Sequence, residues 1–274
     1  MTIKDILVAL APRDEADPAR DYALAMASAY GAHLTAAAYP IVPDIPGSVF
    51  PEFAAGLVQE AKDDAEAAVQ AAGLRFEQAA RAAGVKYRFY GFSSFAHAVI
   101  TDFALRLRTA DIGVLTQHKA DDWGRFGDMF IEGALFRSGR PIIIIPRGFV
   151  GRFSTERVLI AWDGSVHATR AVAGAMPLLQ GADISVFTVA EASKGQDFRA
   201  SALVDHLRRH GLTASIAQRS EPDIPAAILK EAELARASLV VMGGYGHSRF
   251  REFVFGGATQ AMLNSMPAPV LMAH

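Results

Sequence analysis

The chain has 274 residues, 27 Lys and Arg against 29 Asp and Glu, a formal net charge of −2 and no cysteine. That length holds one large domain or two ordinary ones, each able to bury a core without a disulfide or metal staple. The missing cysteines exclude disulfides, thiolate metal sites and cysteine nucleophiles, and the near-zero charge gives no general attraction to nucleic acid or anionic membrane.

The first apolar stretch, Ile6-Leu-Val-Ala-Leu-Ala11, is too short for a signal peptide and runs at once into Arg13-Asp-Glu-Ala-Asp17. No apolar run approaches the roughly 20 residues that span a bilayer. The expectation is a cytoplasmic protein with no membrane or nucleic-acid partner. The stretch reads as a buried strand, after which Asp17 and Pro18 supply an N-cap and an N1 proline for a helix over 19–30. Gly31 ends that helix, a strand follows over 32–38, and a long helix over 53–83 ends at Gly84. Its alanine-rich part, 60–83, reads as an amphipathic surface or interface helix. A third strand comes next, then a fourth over 111–115 and a fifth in Pro141-Ile-Ile-Ile-Ile145.

Past a polar, glycine-containing connector at 147–156 the same order begins again. Val158-Leu-Ile-Ala-Trp-Asp163 matches the first strand, and Ser165 caps a helix over 166–179 that stops at Gly181. A strand over 182–189, a helix over roughly 196–210 ending at Gly211, and a third strand follow. The fourth strand is Ser238-Leu-Val-Val-Met242, and the fifth is Pro269-Val-Leu-Met-Ala273. Strands that are apolar throughout and alternate with helices predict a parallel sheet covered on both faces. The chain therefore reads as an α/β protein of two tandem five-stranded parallel-sheet domains, Rossmann-like, over 1–148 and 155–274.

In such sheets ligands bind at the carboxyl ends of the strands, where the connection order reverses. The richest segment there is Met242-Gly-Gly-Tyr-Gly-His-Ser-Arg-Phe-Arg-Glu-Phe-Val-Phe-Gly-Gly-Ala-Thr259. Glycines where a strand ends and a helix starts let the backbone approach an anion, and the free N–H groups of the helix start receive it. Asp163 ends strand one of the same half, as either a ligand carboxylate or only a turn residue before the Ser165 cap. The first half has Ala11 at that place and Thr116-Gln-His-Lys after its fourth strand, with the acidic Asp128 and Glu132 where the paired glycines would stand. A second phosphate site is not expected there.

Other patterns are weaker. His206 and His210 have the i, i+4 spacing of zinc ligands, but no third ligand follows, and they lie in the last turn of a helix beside Arg208 and Arg209, where cations complement the negative end of the helix dipole. No Gly-x-Ser-x-Gly elbow occurs, and no Gly-Lys-Ser/Thr ending marks a P-loop. Phe250, Phe253 and Phe255 read as sheet packing. No catalytic set and no metal site is expected.

The repeated five-strand unit and the terminal segment together resemble the universal stress protein family in its tandem form, of the adenine-nucleotide alpha-hydrolase-like fold. The family spacing after strand four is glycine, two residues, glycine, nine residues, glycine, then Ser or Thr, and Gly243, Gly246 and Gly256 fall on its glycines. The resemblance assigns Asp163 to the family's carboxylate after strand one and Val189 to the position whose backbone faces adenine. It implies a stress-response regulator that binds ATP, ADP or AMP, with Mg2+ accompanying a triphosphate, and hydrolyses ATP slowly or not at all. Contacts would come from the backbone of Gly256, Gly257, Ala258 and Thr259 and from His247, Ser248 and Arg249. Gly257 departs from the pattern. A lost neutral hydrogen bond there costs about 0.5–1.5 kcal/mol, roughly three- to tenfold in affinity, and Thr259 offers a partial substitute. Family members pair through fifth strands, which implies an intramolecular pseudo-dimer of the halves and leaves a homodimer open. A family member that binds no nucleotide is the competing reading. A slow ATPase using Asp163, His247 or Glu252 is the weakest.

Overall fold

The computed structural model describes residues 2–13, 16–42, 51–117, 126–189, 198–244 and 262–274. They form two units, Ile3–Arg140 with Val150–Arg152 and Phe153–His274 with Pro141–Phe149.

In the first unit the order is β1 (Asp5–Leu10), α1 (Pro18–Tyr30), β2 (His33–Ala38), α2 (Pro51–Ala82), β3 (Tyr87–Gly91), α3 (Ala96–Leu107), β4 (Ile112–Thr116) and α4 (Phe126–Ser138). The strands lie β3-β2-β1-β4, all parallel, with Ile6 of β1 opposite Leu34 on one side and Ile112 on the other. Asp17 caps α1 by accepting the Arg20 N–H, and Pro18 occupies the first helical position. At the other end Gly31 adopts φ 59°, the left-handed conformation that glycine reaches without strain. Helix α1 touches α2, and α3 packs on α4, because the chain passes to the other side of β1 between β3 and β4. The α3–α4 crossing is close: a Cβ on Gly133 would meet Ile100 Cγ2.

The second unit contains β5 (Ile142–Ile145), β6 (Arg157–Ala161), α5 (Val166–Ala175) with a 3-10 turn at Met176–Leu178, and β7 (Asp183–Val189). These are followed by α6 (Phe198–Arg209), β8 (Ala214–Arg219), α7 (Ile224–Leu234), β9 (Leu239–Gly243) and β10 (Val270–Ala273). The order is β5-β10-β9-β6-β7-β8, parallel except that β10 runs antiparallel to β5, with Val270 opposite Ile144 and Met272 opposite Ile142. The fifth strand of the first repeat therefore packs with the second. Its four isoleucines are fully buried, and burying each from water contributes about 1.5–3 kcal/mol. Pro141, just before β5, lies so near Gly174 of α5 that a Cβ there would come within 2.9 Å of it.

Strand β6 sits between β7 and β9. The chain leaves β6 toward β7 and β8, then crosses back to β9, so the connection order reverses between β6 and β9. The carboxyl ends of these strands form the crevice in which open α/β sheets bind ligands. Among the described residues no helix is long and apolar enough to cross a membrane.

Candidate functional site

At the crevice β6 ends at Ala161 and the chain turns through Trp162, Asp163 and Gly164 into α5. Gly164 takes φ 74° to make that turn. The Asp163 Oδ1 accepts the Ser165 N–H at 2.8 Å, and the Ser165 Oγ accepts the Ala168 N–H at 3.1 Å. The two side chains in series cap the helix start at the crevice, and Asp163 stays exposed. Across the switch point β9 ends at Gly243. A Cβ there would lie 2.6 Å from the Ala168 nitrogen and 2.9 Å from the His167 carbonyl carbon. Glycine lets the end of β9 touch the first turn of α5, backbone to backbone, whatever else it does.

The next residue is pinned as well. Gly244 donates its N–H to the Ala273 carbonyl at 2.9 Å, and its own carbonyl lies 3.3 Å from the His274 Nδ1. The His274 ring stacks on His167, centroids 4.3 Å apart and planes at 25°. The point where the chain leaves β9 is thus tied both to the end of β10 and to the start of α5. On the far side of β6, Val189 closes β7, half-buried and opposite Arg219 of β8.

Three of the residues singled out from sequence, Asp163, Val189 and Gly243, therefore stand at the carboxyl ends of adjacent strands. The remaining eight, Gly246, His247, Ser248, Arg249, Gly256, Gly257, Ala258 and Thr259, lie outside the described residues. The His167–His274 stack was not foreseen; its members are 107 positions apart in a chain with eight histidines, and only the sheet brings them together.

The corresponding turn of the first unit is built differently. Asp17 Oδ2 accepts the Ala11 N–H at 2.8 Å while Oδ1 accepts the Arg20 N–H at 3.1 Å, and the residue is 3% exposed. Burial pushes this carboxyl above the usual carboxylate range, and the two N–H bonds pull the other way. From the long α2, Arg75 donates to the Pro12 carbonyl at 2.9 Å. The turn after β1 is therefore tied by the chain's own groups from both sides.

Past β4, helix α4 begins with aromatic rings. Phe126 packs on Phe130 at 5.7 Å, and Phe130 on Phe103 at 4.9 Å and on Tyr39 at 6.0 Å. The Tyr39 hydroxyl donates to Asp102 at 2.7 Å, and Arg106 donates to the same oxygen at 2.6 Å. Asp128 and Glu132, one turn apart on α4, both have carboxyls held above their ordinary range. Burial is the cause for both, with the neighbouring Asp128 charge adding to it for Glu132.

The architecture is that of a doubled α/β unit with a strand-end crevice in its second copy. Residues 154–274 match the model of the universal stress protein family, and this half of the chain belongs to that family. The whole chain shares its tandem fold with the crystal structure of a universal stress protein from Archaeoglobus fulgidus. The TM-score is 0.75, 99% of this chain and 96% of that one are covered, and the identity is 16%. A protein of unknown function from Pseudomonas aeruginosa follows the same course, with a TM-score of 0.61, 14% identity, and 98% of this chain and 92% of that one covered. No curated protein sequence matches at a significant level.

Proposed function

We propose that the second half of the chain binds one adenine nucleotide (ATP, ADP or AMP, with Mg2+ where a triphosphate is bound) and that the first half serves as a partner domain with no site of its own. The observation that supports this most is the contrast between equivalent turns. After β6 the Asp163 carboxylate is exposed at a switch-point crevice beside the Ser165-capped start of α5. After β1 the corresponding backbone is spanned by Asp17 and Arg75. The family spacing of Gly243, Gly246 and Gly256 supplies the phosphate-binding backbone in this reading, and Val189 the adenine-facing backbone.

The role that follows is regulatory: nucleotide occupancy sets which conformation of the second unit a partner meets. Hydrolysis has no assigned base in this proposal. In this reading the two repeats form a built-in pseudo-dimer paired through their fifth strands, which the antiparallel β5–β10 ladder supports. A competing reading, a structural or signalling member of the family that binds no nucleotide, is favoured by Gly257 in place of Ser or Thr and by the packing reason for Gly243.

Mass spectrometry of small molecules released on denaturing the purified protein tests the choice. An adenine nucleotide in the released fraction supports the proposal. A protein that releases none, and gives no heat with ATP or AMP in calorimetry, supports the competing reading.

A further inference from the structure

The second unit carries a groove that adjoins the strand-end crevice at Trp162 and Gly164 and runs away from it toward the opposite edge of the sheet. It has a volume of about 750 Å3 and runs between α5 with its 3-10 extension and α6. Its lining is mostly apolar: Trp162, Val172, Met176 and Leu203 provide the wall surface, with Ala173 and Ala202 along the rims. In the first unit the helix in the place of α6 is 32 residues long and touches its neighbour. Helix α6 has 12 residues and leaves the α5 flank uncovered among the described residues.

The groove has two different ends. Trp162 follows β6 at the carboxyl edge of the sheet. Helix α6 starts at that same edge and runs to the opposite one, so His206 and His210 lie at the far end, their rings edge to face at 4.7 Å. These two histidines are the ionisable side chains of the described lining, with Thr169 and Gln180 as further polar side chains and no carboxylate among the described residues. In the last turn of α6 Arg209 stands beside the histidines, and Arg208 there is paired with Asp205 at 2.7 Å.

Volume selects the class of occupant. Pockets for small molecules span about 300–1,000 Å3. Two turns of a partner helix, 10–12 Å across and about 11 Å long, displace roughly 1,000 Å3 and exceed this space. An apolar trough with two hydrogen-bond-donating imidazoles at one end and no acidic group among its described lining fits an elongated apolar molecule with a single anionic head.

We propose that this groove binds a medium- or long-chain aliphatic carboxylate, its head at His206 and His210 and its tail directed along Met176 and Leu203 toward Trp162. The site meets the strand-end crevice only at Trp162 and Gly164 among its described lining, and it does not depend on the function proposed above.

Brominated acids test both occupancy and direction. The chain has two tryptophans, so a Trp123→Phe background leaves Trp162 as the reporter. In that background 12-bromododecanoate, titrated as monomer, quenches Trp162 saturably, and 2-bromododecanoate, with bromine at the head, quenches it much less. From octanoate to decanoate to dodecanoate, affinity in competition rises roughly tenfold per two methylenes. His206→Ala with His210→Ala weakens dodecanoate about tenfold and leaves dodecanol within about twofold. Ala173→Phe with Ala202→Phe, at exposed rim positions that leave the core intact, abolishes quenching while the melting temperature holds. The proposal is overturned by quenching that does not saturate, by equal quenching from the two bromo-acids, or by quenching that survives the phenylalanine plugs. Acid and alcohol responding alike to the histidine changes overturns it too.

Discussion

Gly243→Ala is the most informative single change, because it separates the packing role of that glycine from any role toward a ligand. The added methyl would sit 2.6 Å from the Ala168 nitrogen and 2.9 Å from both the carbonyl carbon and the Cβ of His167. Ordinary contact begins at 3.4 Å, so the end of β9 and the first turn of α5 must part by about 0.8 Å. The obstructing atoms include backbone inside a capped helix and cannot rotate away as a side-chain tip would. Overpacking of this kind costs about 1–3 kcal/mol, and the rigidity of the contact places the change in the upper half of that range. At roughly 2–4 °C per kcal/mol, the melting temperature of the second unit falls by about 4–12 °C. The assay is urea and thermal unfolding of nucleotide-free protein. Gly148→Ala is the control: its methyl meets nothing within 4 Å, and the expected change is within about 0.5 kcal/mol. If Gly243→Ala unfolds within 0.5 kcal/mol of the parent, the packing argument is refuted and the glycine serves a ligand alone.

Three further outcomes follow from the first unit. Gly133→Ala destabilises by about 1–3 kcal/mol, because the new methyl meets Ile100 Cγ2. In an Ile100→Ala background the same change costs less, and denaturant titrations of the four-protein cycle read the difference. Tyr39→Phe removes a hydrogen bond to a charged acceptor, Asp102, and lowers stability by about 1.5–3 kcal/mol in equilibrium unfolding. Asp128 and Glu132 have folded-state pKa values above their unfolded ones, so the folded unit binds more protons than the unfolded chain across that window. Their contribution to stability therefore falls as pH rises through it. Asp128→Asn with Glu132→Gln should stabilise at pH 7 and lose that advantage near pH 3; an equal gain at both pH values contradicts the assignment.

Much of the fold was legible because local signals and global periodicity agree. Asp17 with Pro18, Ser165 and the left-handed Gly31, Gly84, Gly181 and Gly211 mark helix ends by local chemistry, and fully apolar runs such as Ile142–Ile145 mark buried parallel-type strands. What stayed hidden depends on approach in space. The need for glycine at 243 arises from a helix start some 75 residues earlier in the chain. The second bond of Asp17, to the Ala11 N–H, shows only once the turn is folded back. That β5 packs with the second repeat follows from a ladder with β10 at the other end of the chain. Of the candidate site, the strand-end residues Asp163, Val189 and Gly243 were readable because an α/β sheet fixes where its strand ends meet. The groove beside α6 was not, because it arises from the space between two helices rather than from any motif.

The central claim is one nucleotide per chain, held by the second half. Calorimetric titration of the full chain, first stripped of small molecules, with ATP and AMP tests it most directly. The account predicts a stoichiometry of one, loss of binding in Gly246→Val with folding retained, weakening in Asp163→Ala, and no change in Arg75→Ala of the first unit. Absence of heat with either nucleotide, a stoichiometry of two, or binding that survives Gly246→Val but is lost on changing Arg75 would contradict it.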